Sequence, residues 1–348
     1  MIKVLIAEDS DVVALLLKTI FEQQPDLQVI GRARNGREAV QMCNELQPDI
    51  VTMDIRMPVM DGFEATRMIM ANNPLPIVVI SSSVDNEEMR ITFRAIEEGA
   101  LAVLEKPHGF GHPDFEAIRK ELVDTVRAMA EVKVIRRSIV KSFAKVDIFE
   151  TAIHQKTRAS HIVALGSSTG GPQVLQSIFS SLPIGFPVPI VCAQHISKGF
   201  IGGLVQWLNG NTLLGVKVAE QSEHLLPGII YFAPDDYHLR VKRNGSGLVV
   251  NLTQDPPMNG FRPSATPLFQ SLAEHCAGHA IAGLLTGMGG DGAQGLLEAR
   301  QAGCHTFVQD EESAVVYGMP GTALALGAAD QVVDLDKIAA YCTSLVRE

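Results

Sequence analysis

Residues 161–175 read HIVALGSSTGGPQVL: a short apolar run, a glycine-rich turn and the start of an amphipathic pattern. A strand that feeds a helix through a tight turn is the repeating unit of open parallel sheets, so this stretch puts the second half of the chain in the α/β class. The turn has two readings. Gly166 and Gly171 have the spacing of a phosphate-cradling loop, while Gly166-Ser167-Ser168-Thr169-Gly170 has the G-x-S-x-G pattern that lifts a serine hydroxyl clear of the backbone. A phosphate loop needs Lys and then Ser or Thr after its last glycine, and here Pro172 and Gln173 follow. Without that lysine the phosphate reading loses its main charge.

Outward from this point the same strand and helix alternation recurs. Upstream, KVLIA, DLQVIGRA, DIVTMD, PIVVISS and LAVLEKP predict strands separated by amphipathic segments, with a closing helix near 115–131. Downstream, HIVALG, PIVCAQ, GIIYFAP, GLVVNL, AIAGLLT and HTFVQD do the same. Between them the composition turns basic, with Lys133, Arg136, Arg137, Lys141, Lys145, Lys156 and Arg158 and no strong strand signal. The expected organisation is a first domain over 1–131, a linker over 132–158 and a second domain over 159–348, both doubly wound, mainly parallel α/β. A length of 348 residues fits two domains better than one, given the usual ~100–150-residue mode.

Composition excludes several classes. The formal net charge is −10, and from Ala159 onward nine Lys and Arg face fifteen Asp and Glu, a net of −6 and the wrong sign for gripping nucleic-acid phosphates. The five cysteines are scattered and form no C-x-x-C, which argues against a disulfide framework or zinc ribbon. No apolar run is long enough to span a bilayer, and Glu8 and Asp9 interrupt the N-terminal apolar run before a signal peptide could form. A cytoplasmic protein without membrane insertion is expected.

In the first domain, chemistry-bearing residues fall just beyond successive strands: Glu8 and Asp9, then Asp54, Ser81 and Lys106. In a doubly wound sheet those strand ends converge on one crevice. Carboxylates crowded there repel unless a hard, oxygen-seeking cation such as Mg²⁺ lies between them. An aspartate so neutralised is able to attack a phosphoryl donor whose oxygens Ser81 and Lys106 bind.

In the second domain Ser168 needs a base, and the base an orienting carboxylate. His195 in CAQHISKG and Asp291 in LLTGMGGDG each follow a predicted strand, so the fold brings them to the sheet edge that carries Ser168. Two competing motifs overlap this reading. Gly287, Gly289 and Gly292 spell G-x-G-x-x-G, with Asp310 ending the next strand, as in dinucleotide sites. Asp291 inside that turn opposes an incoming pyrophosphate. HCAGH places His275, Cys276 and His279 at roughly metal-ligand spacing, but it offers too few ligands and is read as structural.

The acidic pair Glu8-Asp9, the run DIRMPVMDG from Asp54, Ser81 and the Lys106-Pro107 pair resemble the receiver domain of two-component response regulators, a flavodoxin-like fold. GSSTGGP, AQHISKGF, YFAPDDYHL, FRPSATPLF, TGMGGDGAQGL and SAVVYGMP extend the resemblance to the chemotaxis response regulator protein-glutamate methylesterases, whose second domain is Rossmann-like. The resemblance implies that Asp54 takes phosphate from a histidine kinase, with Mg²⁺ held by Asp9, Asp54 and the carbonyl of Arg56, Glu8 assisting. It further implies Ser168 as nucleophile, His195 as base, Asp291 as its orienting carboxylate, and the Thr169 and Met288 N–H groups as oxyanion donors. Its substrates are the γ-methyl esters of glutamates on methyl-accepting chemoreceptors, hydrolysed with release of methanol, and in many members receptor glutamines are deamidated. The esterase step needs no cofactor. The first domain is expected to pack on the catalytic face and to loosen on phosphorylation. One departure is Val103, where receivers usually carry an aromatic switch residue.

Overall fold

The computed structural model describes residues 1–81, 93–134 apart from 108, 110, 114 and 133, and 161–346 apart from 246. The basic linker expected at 132–158 lies outside the described residues except at 132 and 134. Strands β1 (Ile2–Ala7), β2 (Leu27–Ala33), β3 (Ile50–Met53), β4 (Ile77–Ser81) and β5 (Ala102–Glu105) form a five-stranded sheet in the order β2-β1-β3-β4-β5. Every pairing is parallel. Helix starts follow from local chemistry. Ser10, Asn35 and Asp61 accept from the N–H of Val13, Glu38 and Glu64, capping the helices Asp11–Glu22, Gly36–Leu46 and Gly62–Asn72. The chain leaves β1 toward β2 on one side and places β3 on the other. This reversal opens a crevice beyond the carboxyl ends of β1 and β3.

The second sheet has seven parallel strands in the order β14-β13-β12-β6-β7-β9-β8. They are β6 (Ile162–Ser167), β7 (Ile190–Gln194), β8 (Gly215–Val218), β9 (Ile229–Phe232), β12 (Ala280–Leu284), β13 (His305–Gln309) and β14 (Gln331–Val333). Here the reversal falls at β6, flanked by β7 and β12. Strands β6, β7 and β12 are buried along their whole length, as near-continuous apolar strands covered on both faces should be. The sheet thus places the ends of these three strands side by side.

The structure corrects part of the strand reading. GLVVNL is a strand, but it belongs to an antiparallel hairpin of β10 (His238–Asn244) and β11 (Gly247–Thr253), outside the parallel sheet. The hairpin lies on the helix Ala265–His275, with Val241 N–H donating to Ser271 Oγ at 2.9 Å. Strands β8, β10 and β14 carried no apolar signal strong enough to predict. They are short, edge-placed or studded with Lys and Arg.

The two sheets meet through an apolar seam. Phe93, Ile96 and Val103 of the first unit join the buried cluster containing Leu175, Leu204 and Trp207 of the second. Phe93 stacks on Trp207 with ring centroids 5.9 Å apart, and Trp207 Nε1–H donates to Glu97 Oε1 at 2.7 Å. Asn211 donates to the same carboxylate at 3.1 Å, and Ser197 Oγ to Glu121 at 3.2 Å. Gln173 donates to the Ala100 carbonyl, and Val315 and Val316 pack on the first unit's core. No helix among the described residues is long and apolar enough to cross a membrane.

Candidate active site

The first crevice gathers the residues predicted for it. Glu8 and Asp54 are buried, Asp9 is exposed, and each offers a carboxylate oxygen within 4.8 Å of the others. Lys106 Nζ lies 2.9 Å from Glu8 Oε2 and 2.8 Å from Asp54 Oδ2. Lys106 N–H donates to the Ser81 carbonyl at 2.9 Å, so the two expected switch residues stand on adjoining strand ends. The Arg56 N–H bonds to the Asp54 carboxylate. Gly62 makes the close approach possible, since a Cβ there would stand 2.1 Å from the Asp54 carbonyl oxygen.

One lysine is not enough for these carboxylates. Burial, and after it the Asp54 charge, push the Glu8 carboxyl above its ordinary value despite Lys106. Burial likewise pushes Asp54 up against Lys106 and the Arg56 N–H, with Asp9 adding to the rise. Burial opposes the charge on Lys106, but the two carboxylates outweigh it and hold the lysine above its usual range. An all-oxygen trio left short of positive charge fits a hard divalent cation. Val103, at the position of the missing aromatic residue, is half-buried and packs on both the first unit's core and the seam.

The second crevice is assembled at the ends of β6, β7 and β12. His195 N–H donates to the Ser167 carbonyl at 2.9 Å, and Ser168 N–H to the Thr286 carbonyl at 3.0 Å, so the strands carrying serine and histidine are pinned on both flanks. Gly287 allows this approach: a Cβ there would meet Ser168 Cβ at 2.7 Å. Gly170 takes φ +79° as the turn enters the helix Gly171–Ser180, a conformation that favours glycine.

His195 Nε2 bonds Asp291 Oδ2 at 2.9 Å, and the pair is almost fully buried. The other ring nitrogen, Nδ1, is buried without a hydrogen-bond partner among the described residues. A carboxylate can only accept, so Nε2 carries a proton, and in the neutral ring Nδ1 presents its lone pair. This is the reverse of the ring's usage in the serine proteases, where Nδ1 faces the aspartate. Phe261 stacks on the imidazole at 3.9 Å between centroids and 7° between planes.

Asp291 is held from every side. Oδ1 accepts from Ser264 Oγ at 2.6 Å, Thr266 Oγ1 at 3.0 Å and Asn259 Nδ2 at 3.3 Å, while Oδ2 accepts from Ala265 N–H at 2.7 Å as well as from His195. Burial works against its charge, but His195 and the Ser264 and Ala265 donors outweigh burial and hold the carboxyl well below the usual carboxylate range. Ala265 opens the helix that Ser264 caps, so the carboxylate also sits at that helix's positive end.

Thr169 follows Ser168 in the chain and Met288 follows Gly287, which lies against Ser168, and no hydrogen bond among the described residues engages the N–H of either expected oxyanion donor. The dinucleotide reading fares poorly against this geometry. Asp291 fills the glycine turn, Gly292 N–H is taken by Thr266 Oγ1 at 2.9 Å, and Asp310 accepts from Ser313 Oγ in its own turn. In HCAGH, Cys276 is a buried helix C-cap and His279 stacks on His161 at 4.8 Å. Among the described residues, Glu8, Asp9 and Asp54 form the group suited to a metal. Sequence reasoning missed Gln194, Asn259, Phe261, Ser264, Thr266 and Thr286. The nearest signal was Ser264 before an apolar helical pattern, which marks a helix start but not its role.

Fold and crevices together define a class, a parallel α/β unit with an acidic crevice joined to a second parallel α/β unit with a Ser, His and Asp set. Comparison with known proteins gives the family. A profile described as CheB methylesterase matches residues 163–342, and one described as response regulator receiver domain matches residues 4–112. The chain is 46% identical to the protein-glutamate methylesterase/protein-glutamine glutaminase of Nitrosospira multiformis, over 100% of this chain and 98% of that one. It is 45% identical to a protein of the same description from Methanospirillum hungatei, over 99% and 98%. The Thermotoga maritima CheB methylesterase catalytic domain superposes with a TM-score of 0.53 at 38% identity, covering 54% of this chain and all of that one. The chain belongs to the CheB methylesterase family.

Proposed function

We propose that this protein is a phosphorylation-activated protein-glutamate methylesterase that removes γ-methyl esters from chemoreceptor glutamates in the cytoplasm. The observation that carries the reading is the convergence of Ser168, His195 and Asp291 at one strand-order reversal, with Nδ1 of His195 buried and free to take a proton. Ser168 Oγ attacks the ester carbonyl as Nδ1 takes its proton, and Asp291 holds the imidazolium that forms. The Thr169 and Met288 N–H groups receive the oxyanion, where one donor contributes ~2.7–4 kcal/mol. His195 returns the proton to the leaving methoxide, and water resolves the glutamyl-serine ester by the same route. A glutamine amide meets the same groups: its C–N bond breaks as His195 protonates the departing nitrogen, ammonia leaves, and water resolves the same glutamyl-serine ester to glutamate, which makes deamidation a second reaction of the site.

The division into a receiver over 1–131, a linker over 132–158 and a catalytic domain over 159–348 belongs to this reading. In the receiver, Asp9, Asp54 and the Arg56 carbonyl, assisted by Glu8, would hold Mg²⁺, which neutralises the phosphoryl oxygens during transfer. Asp54 takes the phosphoryl group from a histidine kinase, and Ser81 and Lys106 bind its oxygens. The seam touches three segments of the catalytic crevice: Gln173 follows the nucleophile turn, Ser197 follows His195, and Val315 lies against Gly170. Phosphorylation loosens the seam insofar as the phosphorylated receiver has less affinity for it.

The test is methanol release from a methylated chemoreceptor signalling domain, with and without a small acyl phosphate, for the wild type, Ser168→Ala and Asp54→Ala. The reading requires release by the wild type, none by Ser168→Ala, and stimulation by the donor only where Asp54 is present. An inactive wild type on a validated substrate sinks it.

A further inference from the structure

We infer that Gln194 is a positioning residue that sets the direction of the Thr169 N–H, and so builds the oxyanion site from the neighbouring strand. The inference rests on the reading of Ser168 as nucleophile and Thr169 as oxyanion donor. Gln194 ends β7 and stands in register with Ser167 at the end of β6. Its side chain is buried, and its amide is fully engaged. Nε2 donates to the Ser168 carbonyl at 2.8 Å and to the His195 carbonyl at 2.7 Å, while Oε1 accepts from Ser167 Oγ at 2.6 Å. Two carbonyls can only accept, so the amide nitrogen must face them and the orientation is unambiguous.

The consequence follows from peptide geometry. The Ser168 carbonyl and the Thr169 N–H belong to one planar trans unit, in which C=O and N–H point in opposite directions. Gln194 draws that carbonyl toward β7, with Gly171 N–H as a second donor at 2.8 Å, and the Thr169 N–H is thereby aimed away from both. The next unit is fixed from the other flank, where Thr286 Oγ1 donates to the Thr169 carbonyl at 2.9 Å. Space for the clamp is made by Gly171, since a Cβ there would lie 2.0 Å from Gln194 Oε1. One amide therefore ties the backbone of the nucleophile to that of the base and orients the donor that receives the developing charge. Beyond His195 N–H to Ser167 O the ladder between the two strands ends, and Gln194 continues it with a side chain.

The experiment compares the full-length wild type with Gln194→Met, which keeps length and loses both donors, and with Ser167→Ala, which loses only the restraint on Oε1. Read-outs are kcat and KM for methanol release, the rate and final amplitude of fluorophosphonate labelling, and the melting temperature. The inference expects Gln194→Met to label to full amplitude but slowly, with KM unchanged and kcat lowered about 10²-fold, the low end for loss of an oxyanion donor. Wild-type kcat in folded Gln194→Met overturns it. So does a reduced labelling amplitude with a wild-type rate in the fraction that labels, which is the mark of a purely structural role. If Gln194→Met does not fold, Ser167→Ala decides: kcat lowered about fivefold at constant KM, roughly one hydrogen bond, supports the inference, and unchanged kcat overturns it. Ser168→Ala is run beside them. If it still turns over or labels, the serine reading itself has failed, an outcome separate from failure of the Gln194 assignment.

Discussion

Asp54 and Asp291 occupy comparable places, each just beyond a strand that flanks the strand-order reversal of a parallel sheet, yet their surroundings treat a carboxylate oppositely. Asp54 and Glu8 share Lys106, and burial holds both carboxyls above their ordinary values. Asp291 has donors from Asn259, Ser264, Ala265, Thr266 and His195 and is held far below the carboxylate range in spite of burial. The first site is short of positive charge and is suited to receive a cation. The second is a fixed charge, complete before substrate arrives. One topology thus supports a variable electrostatic site and a preorganised one, and the side chains around the carboxylate decide which.

The contrast is broken most severely at Asp291. Asp291→Asn keeps the size but removes the charge that dictates the imidazole tautomer and sets an NH₂ against groups that donate to the carboxylate, so kcat is expected to fall by about 10⁴-fold and the melting temperature to drop, measured by methanol release and by thermal melts. The next largest effect belongs to the receiver. Mg²⁺ at a hundredfold over its Kd should stabilise the wild type by about 2.7 kcal/mol, and Asp9→Asn or Asp54→Asn should abolish most of that gain in thermal melts.

The same melts in chelator, from about pH 4 to 8, sharpen the comparison through its sign. Glu8 and Asp54 have folded pKa values above their unfolded ones, so their contribution is present below the ordinary carboxylate range and is lost as pH rises through the raised values. Asp291 contributes above the ordinary carboxylate value and loses that contribution only when pH falls through its depressed folded value. Asp54→Asn should therefore flatten the metal-free gain in stability on mild acidification.

Smaller effects come from the seam and from the weakest Asp291 donor. Glu97→Ala removes the acceptor for Trp207 and Asn211, and basal methanol release without phosphoryl donor should rise about fivefold, the low end for two partly exposed hydrogen bonds. Asn259→Ala removes a 3.3 Å contact from a carboxylate that keeps its other donors, and kcat should fall by only about twofold.

How much of this was legible beforehand follows from the physics of each part. Central strands buried on both faces are written as apolar runs, so both sheets and the residues at their carboxyl ends could be read. Ser168, His195, Asp291, Glu8, Asp9 and Asp54 were placed at the two crevices beforehand because topology sets their positions. The surroundings of Asp291 were not, because Asn259, Ser264 and Thr266 reach it across 32, 27 and 25 residues from a loop and a helix start with no periodic signal. Gln194 was hidden differently: inside a strand pattern it reads as the last residue of the run, and its role exists only through two backbone carbonyls. The hairpin placement of GLVVNL was missed because a strand's own residues do not name its pairing partner, and β8, β10 and β14 were missed because β8 and β14 are short edge strands and β10 is rich in Lys and Arg.

The most direct test of the central claim, a preorganised serine site governed by a chargeable receiver, is the rate and location of fluorophosphonate labelling on the full-length protein with and without a small acyl phosphate. A single adduct on Ser168 is expected by peptide mass spectrometry, formed faster with the donor in the wild type and at an unchanged rate in Asp54→Asn. An adduct elsewhere, or a donor effect that persists in Asp54→Asn, contradicts it.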